Sequence, residues 1–279
     1  MRPVSHALWS FASSLTFLGA VVNAAAGVLE VGIVFPRVNG TYAPTDKFPI
    51  VFALQNAEAA KHLSIDLYSF VRKGPQLRST FGDAVHDLSS VNFTSEPYFV
   101  YHFLNIETEG AYELFSTTTW ASCGERPGDR YDELTDKRIN EVAYLANSTN
   151  MAVPFTIKKD GQNVDLVAAT ADEDKTCFAP GFAINVTDQT REVNNIFGRW
   201  IGTCAVVGSA SPTPTANACK VRIDSAAAAS MSAVVHAAWC RGFNPPADCP
   251  KESTAAQQLA VAGITSFAAV FGAVAFLLA

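Results

Sequence analysis

The chain has 279 residues, with 20 Lys and Arg against 26 Asp and Glu, which gives a formal net charge of −6. An acidic balance without a basic cluster argues against nucleic acid and anionic membrane surfaces as partners. Once two apolar ends are set aside, the length is enough for one large β domain or a β domain with an appendix.

The first 26 residues have the three parts of a secretory signal peptide. Arg2 supplies the positive charge, residues 7–22 supply an apolar core, and Ala24 and Ala26 offer small residues before a cleavage site. An uncleaved membrane anchor is the alternative, but the apolar run is short for a span. Residues 1–26 therefore predict export.

Residues 27–250 are interpreted as one extracellular domain built of strands. The alternating run 63–70 places Leu63, Ile65 and Leu67 on one face. The aromatic runs 98–106 and 112–120 predict a hairpin around Gly110. The other predicted strands are 29–35, 48–54, 153–157, 164–167, 182–186 and 200–207. Short strands separated by turns predict a mainly β fold and a β-sandwich, with an immunoglobulin-like arrangement as one form of it.

Two segments interrupt this strand pattern. The charged stretch 124–150 predicts a long loop with a short helix near 134–144. Residues 224–239 predict an Ala-rich helix, which Asp224 caps and Ile223 staples. Its apolar stripe (Met231, Val234, Val235 and Ala238) predicts packing against the sandwich. The Pro/Thr loop 208–218 before this helix is either O-glycosylated or a plain exposed loop.

Six cysteines lie between the two apolar ends. They are Cys123, Cys177, Cys204, Cys219, Cys240 and Cys249. An even count in an exported chain predicts three disulfides, whereas their spacing does not fit a metal site. Since four of them fall within 204–249, we expect local bridges around the segment 219–249, which leaves Cys123 to pair with Cys177.

Four Asn-x-Thr sequons predict N-glycosylation of an exported chain. Their asparagines are Asn39, Asn92, Asn147 and Asn185. Each asparagine must lie at the surface to be modified. Because such short motifs also occur by chance, we expect one or two of the four sites not to be glycosylated.

The C-terminal end predicts attachment to a membrane. The last charged residue is Glu252, and the spacer 251–258 leads into an apolar tail, 259–279, of 21 residues. A small-residue site, a polar spacer and an uncharged tail are typical of a GPI anchor, with Ser253 as the attachment residue. The alternative is a retained transmembrane helix. Either anchor predicts the outer face of the plasma membrane or the cell wall.

The residues contain no catalytic signature, so neither catalytic nor cofactor-binding nor metal-binding residues are assigned. The histidines outside the signal peptide (His62, His86, His102 and His236) are too far apart in sequence to suggest a ligand pair, and His102 is interpreted as a packed core residue. Acidic runs at 129–133 and 172–174 are weighed as calcium ligands and interpreted as solvated loops. Tyr42, Tyr98, Tyr101 and Trp120 could stack on sugars, but core or cross-strand packing is favoured.

Several motifs resemble a family of secreted and surface fungal proteins that is catalogued only as a domain of unknown function. The similar segments are 29–37 (LEVGIVFPR), 41–44 (TYAP), 49–56 (PIVFALQN), 112–123, 203–206 and 219–228. The resemblance covers about 28–250 and implies a fungal extracellular protein without an assigned active site. Gly32 departs from the acidic residue expected in relatives.

The leading hypothesis is a non-enzymatic surface or cell-wall glycoprotein with a structural or interaction role. One alternative is a carbohydrate-binding module or adhesin, with cell-wall glycan as its partner. The other is a carboxylate-based enzyme acting on glycans, which would need two carboxylates facing each other across a cleft.

Overall fold

The computed structural model describes residues 26–74, 80–132, 137–171, 178–193, 202–209, 215–242 and 245–250, without the side chains of 126–132 and 137–141. The strands are β1 Gly27–Phe35, β2 Thr41–Tyr42, β3 Thr45–Gln55, β4 Asp66–Lys73, β5 Thr80–Asp87, β6 Tyr98–Ile106, β7 Gly110–Asp132, β8 Lys137–Ile157, β9 Gly181–Val193 and β10 Gly202–Val207. The α-helices are α1 Leu166–Thr170 and α2 Ser225–Cys240. The prediction of a mainly β fold with one long helix near its C-terminal end is confirmed.

The strands form two groups, which we call the front sheet and the back sheet. The front sheet has the order β10-β9-β1-β3-β6, and the back sheet has the order β2-β8-β7-β4-β5. They are joined where β10 runs parallel to β7, at the pair Val206 and Cys123. Their strand pairs are otherwise antiparallel except for β2 with β8, so most connections can be short.

Aromatic side chains pack between the two sheets. Phe48 of β3 stacks on Phe155 of β8, with ring centroids 5.1 Å apart. Trp120 of β7 stacks on Phe182 of β9 at 5.2 Å. Since each pair joins a front strand to a back strand, the sheets contact each other as the layers of a sandwich do. The immunoglobulin-like form stays a prediction.

A C-terminal segment, residues 215–242, covers the outer face of the front sheet. The Glu30 carboxylate on β1 accepts a hydrogen bond from the Asn217 backbone N–H at 2.8 Å. Farther along, the Thr170 hydroxyl accepts one from the Ile223 N–H at 2.9 Å. At Gly32 a side chain would collide with Ala218, since an added Cβ would lie 2.6 Å from the Cβ of Ala218. The glycine therefore lets this cover approach the sheet.

Helix α2 begins as predicted, but the side chains that it packs against the sheet differ in part from the predicted ones. Asp224 caps it by accepting a hydrogen bond from the Ala227 N–H at 2.7 Å. Met231 is buried, but Val234 and Ala238 of the predicted stripe are exposed, so that stripe was wrong in part. Half-buried Ala227 and Ala228 also pack against the core. Within the ranges that the structure describes, no helix combines the length and apolar character needed to cross a bilayer.

The charged stretch forms strands over residues 124–132 and 137–150, so the predicted long loop with a short helix was wrong there. Strand β7 has 23 residues and β8 has 21, and they pair antiparallel from Gly110 with Ile157 to Asp132 with Lys137. Ladder hydrogen bonds use backbone groups only, so a charged sequence can still pair as a hairpin.

Two further local predictions were wrong, and one strand was missed. Strands β6 and β7 do not form a hairpin with each other, because β6 pairs with β3, and β7 pairs with β4 and β8. The predicted strand 164–167 overlaps α1, whose start is capped by Asp165 through the Ala168 N–H at 3.0 Å. Strand β5 was not predicted, because Gly82 and Asp83 interrupt its apolar pattern.

The disulfides are partly long-range, which corrects the predicted pairing of Cys123 with Cys177. Cys123 instead bonds to Cys204 across 81 residues of sequence, beside the join between the two sheets. The bond between Cys240 and Cys249 is local, as expected for the segment 219–249. Cys219 is disulfide-bonded as well, and Cys177 lies outside the described residues.

Candidate ligand-binding groove

An open groove lies between α2 and the beginning of β3, at the rim of the cover. Its volume is about 960 Å³. Pro49, Phe103, Leu166 and Val235 contribute apolar surface, while polar groups come from the segments around them. The polar residues that line it are Thr45, Lys47, Asn163, Asp165, Ser232, His236 and Asp248. This mixture of apolar and polar surface is typical of small-molecule sites.

Three elements bring charged groups together at one end of this groove. His236 Nε2 on α2 lies 3.1 Å from Asp248 Oδ2 on the following segment. The hydrogen bond from His236 lowers the pKa of the Asp248 carboxyl. Lys47, from the start of β3, places its ammonium 5.9 Å from the centroid of the Trp239 ring. The disulfide between Cys240 and Cys249 holds Asp248 close to the helix.

Trp239 also borders a second depression. This neighbouring hollow has a volume of about 400 Å³ and is lined by Asp46, Asn105, Ala238, Trp239, Gly242 and Pro246. The partly exposed indole therefore lies between two concave surfaces, each with its own polar groups. Nothing in the local sequence around Trp239 indicated this position, because both surfaces depend on strands far away in the chain.

The cluster of His236, Cys240 and Cys249 resembles a set of metal ligands in its spacing. One nitrogen and two sulfur atoms lie within 4.8 Å of one another. The sulfur atoms are bonded to each other, however, and a disulfide sulfur is not the thiolate that binds a metal. The arrangement is therefore that of a structural disulfide beside a histidine.

The fold brings together two histidines that are distant in sequence. His86 of β5 and His102 of β6 place Nε2 and Nδ1 3.4 Å apart, where the edges of the two sheets meet. Burial lowers the pKa of both imidazoles, and the neighbouring His86 lowers that of His102 further, to about 4. His102 is thus a packed histidine, as predicted, but the pair was missed because β5 was not predicted.

The four aromatic residues singled out in the sequence do not form a sugar-binding surface. Tyr42 is buried, and its hydroxyl accepts a hydrogen bond from the Arg37 N–H at 2.9 Å. Trp120 stacks on Phe182 between the sheets. Tyr98 and Tyr101 are half-buried against the core. The favoured interpretation, core packing, is confirmed most clearly for Tyr42.

A row of aromatic residues occupies the outer face of the back sheet. Phe70 and Phe115 lie opposite each other on β4 and β7 and stack with centroids 5.5 Å apart. The Arg72 guanidinium covers the Phe115 ring at 3.5 Å. Because these groups cover one another's faces, they stabilise the sheet as cross-strand pairs and leave little ring surface for a ligand.

The predicted glycosylation sites differ in exposure. Asn39, Asn92 and Asn147 are exposed, whereas Asn185 is half-buried on β9. The hydroxyl of Thr187, in the sequon of Asn185, donates a hydrogen bond to the Val206 carbonyl at 2.8 Å. Ser253 and the acidic run 172–174 lie outside the described residues, as does Glu133 of the run 129–133, whose other side chains are not described.

A family model described as "Domain of unknown function (DUF7136)" matches residues 24–249. The resemblance to a family described only as a domain of unknown function is thereby confirmed. No curated protein and no solved structure matches the chain.

Proposed function

Since the chain belongs to the family described as domain of unknown function DUF7136, we propose that it is an exported, surface-anchored glycoprotein with a structural or interaction role. The predicted signal peptide at 1–26 and the predicted anchor at Ser253 supply the two ends of this proposal. The outer face of the plasma membrane or the cell wall is the proposed location, and membrane and wall glycan are the proposed partners.

The observation that carries this proposal is the exposure of three sequon asparagines on a disulfide-bonded β domain. Asn39, Asn92 and Asn147 are open to solvent, as a glycosylating enzyme requires. The Cys123–Cys204 and Cys240–Cys249 disulfides lie in the same domain, and such bonds persist in oxidising compartments.

Glycosylation is tested by expressing the chain in a eukaryotic secretory host and removing N-glycans enzymatically. We expect the apparent mass to drop on this treatment. In each of the variants Asn39→Gln, Asn92→Gln and Asn147→Gln, the drop should be smaller by the mass of one glycan. Asn185→Gln serves as the matched control and should leave the mass unchanged, because its amide is half-buried. A chain without any N-glycan would contradict the proposal.

The anchor is tested separately on intact cells. Treatment with a phosphatidylinositol-specific phospholipase should release the protein into the medium, and replacing Ser253 with a bulky residue should prevent this attachment. Protein that stays in the detergent phase after treatment would indicate a retained transmembrane tail instead.

A carbohydrate-binding or adhesin role is the second candidate, and the groove beside Trp239 favours it. Asp165 and Asp248 both line the groove, as a glycan-cleaving enzyme would need. However, Asp165 is engaged in capping α1, and His236 lowers the pKa of Asp248. A general acid needs a raised pKa, so binding is better supported than hydrolysis. Hydrolysis of glucan or chitin oligomers that is lost in Asp248→Asn would reverse this preference.

A further inference from the structure

We propose that the groove between α2 and β3 binds a neutral, linear saccharide that lies across Trp239. This inference rests on the proposed interaction role and names the site and the ligand class for it. The site combines an aromatic platform, two adjoining hollows, and polar groups from five separate segments of the chain.

The shape of the surface fits an extended ligand. The groove of about 960 Å³ and the hollow of about 400 Å³ meet at Trp239. Both volumes are of the size that ligand sites in proteins have. An indole ring offers a broad apolar surface that can receive the apolar face of a sugar ring, and its N–H is a hydrogen-bond donor. A chain of sugar units can therefore occupy both hollows.

The polar groups suit hydroxyl-rich ligands. Lys47 is a donor and the carboxylate of Asp248 is an acceptor, and both lie at the Trp239 end of the groove. Thr45 and Asn163 add groups that can donate and accept. A sugar hydroxyl also donates and accepts, so each of these groups can find a partner on one ligand.

The charges of the lining residues favour a neutral saccharide over an acidic one. Three carboxylates (Asp46, Asp165 and Asp248) border the two hollows, against the single ammonium of Lys47. These carboxylates repel an anionic ligand. Two of the three are already hydrogen-bonded within the protein, Asp165 to the Ala168 N–H and Asp248 to His236, which reduces their attraction for a cationic ligand.

The walls of the groove are fixed before a ligand arrives. The Cys240–Cys249 disulfide holds residues 245–250 against the end of α2, and buried Met231 anchors the helix on the front sheet. The Pro49 wall belongs to β3, which is paired with strands on both of its sides. A preformed surface loses little conformational entropy on binding, which suits a weakly interacting ligand such as a sugar.

The test is titration calorimetry of the purified full chain, after enzymatic removal of its own N-glycans. The probes are neutral gluco-oligosaccharides and N-acetylchito-oligosaccharides, with a de-N-acetylated, cationic chito-oligosaccharide and an oligogalacturonate as charged comparators. Trp239→Ala should weaken binding of the neutral probes by roughly tenfold, since an aromatic contact is lost. Ser232→Trp should abolish it by filling the groove without removing a buried group.

Val234→Trp is the matched control, because Val234 is 43% exposed on the same helix and does not line the groove. It should bind as the unaltered chain does. The inference fails if no neutral probe binds, if Ser232→Trp binds normally, or if only a charged comparator binds. Secretion, glycosylation and phospholipase release are measured on the cells that express each variant, before purification, so the proposed function can hold when saccharide binding fails.

Discussion

The outer faces of the two sheets differ in what covers them. On the front sheet, residues 48–54 of β3 are buried on both sides, since Phe48 faces the back sheet and Pro49 faces α2. On the back sheet, β4 alternates between buried Leu67 and half-exposed Tyr68. This difference explains where the groove lies: one wall of the groove is formed at the rim of the segment that covers the front sheet.

The open face of the back sheet is stabilised in another way. Phe70 stacks on Phe115 across strands, and Tyr68 packs beside Phe70 on β4 with ring centroids 5.5 Å apart. A continuous apolar run indicates a strand buried on both faces, and an alternating run indicates one exposed face. The sequences of β3 and β4 follow these two patterns.

The first prediction has the largest expected effect. It compares the disulfide that joins the two sheets with the disulfide that fixes the cover. Replacing both Cys123 and Cys204 with Ser removes a disulfide between residues 81 positions apart in sequence. This loss should lower the free energy of unfolding by about 4 kcal/mol. Cys240→Ser with Cys249→Ser opens a separation of 9 residues and should cost about 2.5 kcal/mol. Urea unfolding measures both, and equal losses would show that loop length does not govern their contributions.

We expect acidification to destabilise the fold through His102, at the edge where the two sheets meet, and not through either outer face. Burial and the neighbouring His86 lower the pKa of His102 to about 4, from about 6.5 for an ordinary histidine, so the unfolded chain takes up the proton first as pH falls. Stability from this group is therefore complete above about pH 6.5 and lost towards about pH 4, by up to roughly 3 kcal/mol.

His102→Leu should remove this contribution to the pH dependence. The measurement is urea unfolding at neutral pH and near pH 4, compared between the variant and the unaltered chain. If both lose the same stability on acidification, the carboxyl groups and not this histidine cause the loss.

The attachment of the cover can be weakened through α2. Met231→Ala removes a buried side chain, 3% exposed, and should cost about 2–3 kcal/mol. Val234→Ala on the same helix, where Val234 is 43% exposed, should change stability by less than about 0.5 kcal/mol. Thermal unfolding compares the two, and similar effects would mean that the helix does not pack through Met231.

The last prediction has the smallest expected effect and compares valines on the two outer faces. Val51→Ala on β3 should cost about 2 kcal/mol, because Val51 is fully buried under the cover. Val85→Ala on β5 should be nearly neutral, since Val85 is 67% exposed on the back sheet. If the two substitutions cost the same, the outer faces do not differ in burial as described.

Strands and helix were predicted well wherever the signal is local. Residues 98–106 match β6, and Asp224 caps α2, because periodicity and capping depend on neighbours in the chain. The β7–β8 hairpin was missed because its charged sequence does not resemble that of a strand. The two strands are stabilised by pairing with each other. The pairing of Cys123 with Cys204 was missed because it depends on which strands lie side by side.

The amino-acid sequence was sufficient for the mainly β class, the capped C-terminal helix, the family resemblance and the sequons, since each is written in adjacent residues. The folded chain was needed to show which sequons are exposed, which cysteines meet, and how Lys47 and Trp239 come to share one groove. These features join residues that are far apart in sequence, and packing between sheet and cover brings them into contact. Composition and periodicity carry no record of such contacts.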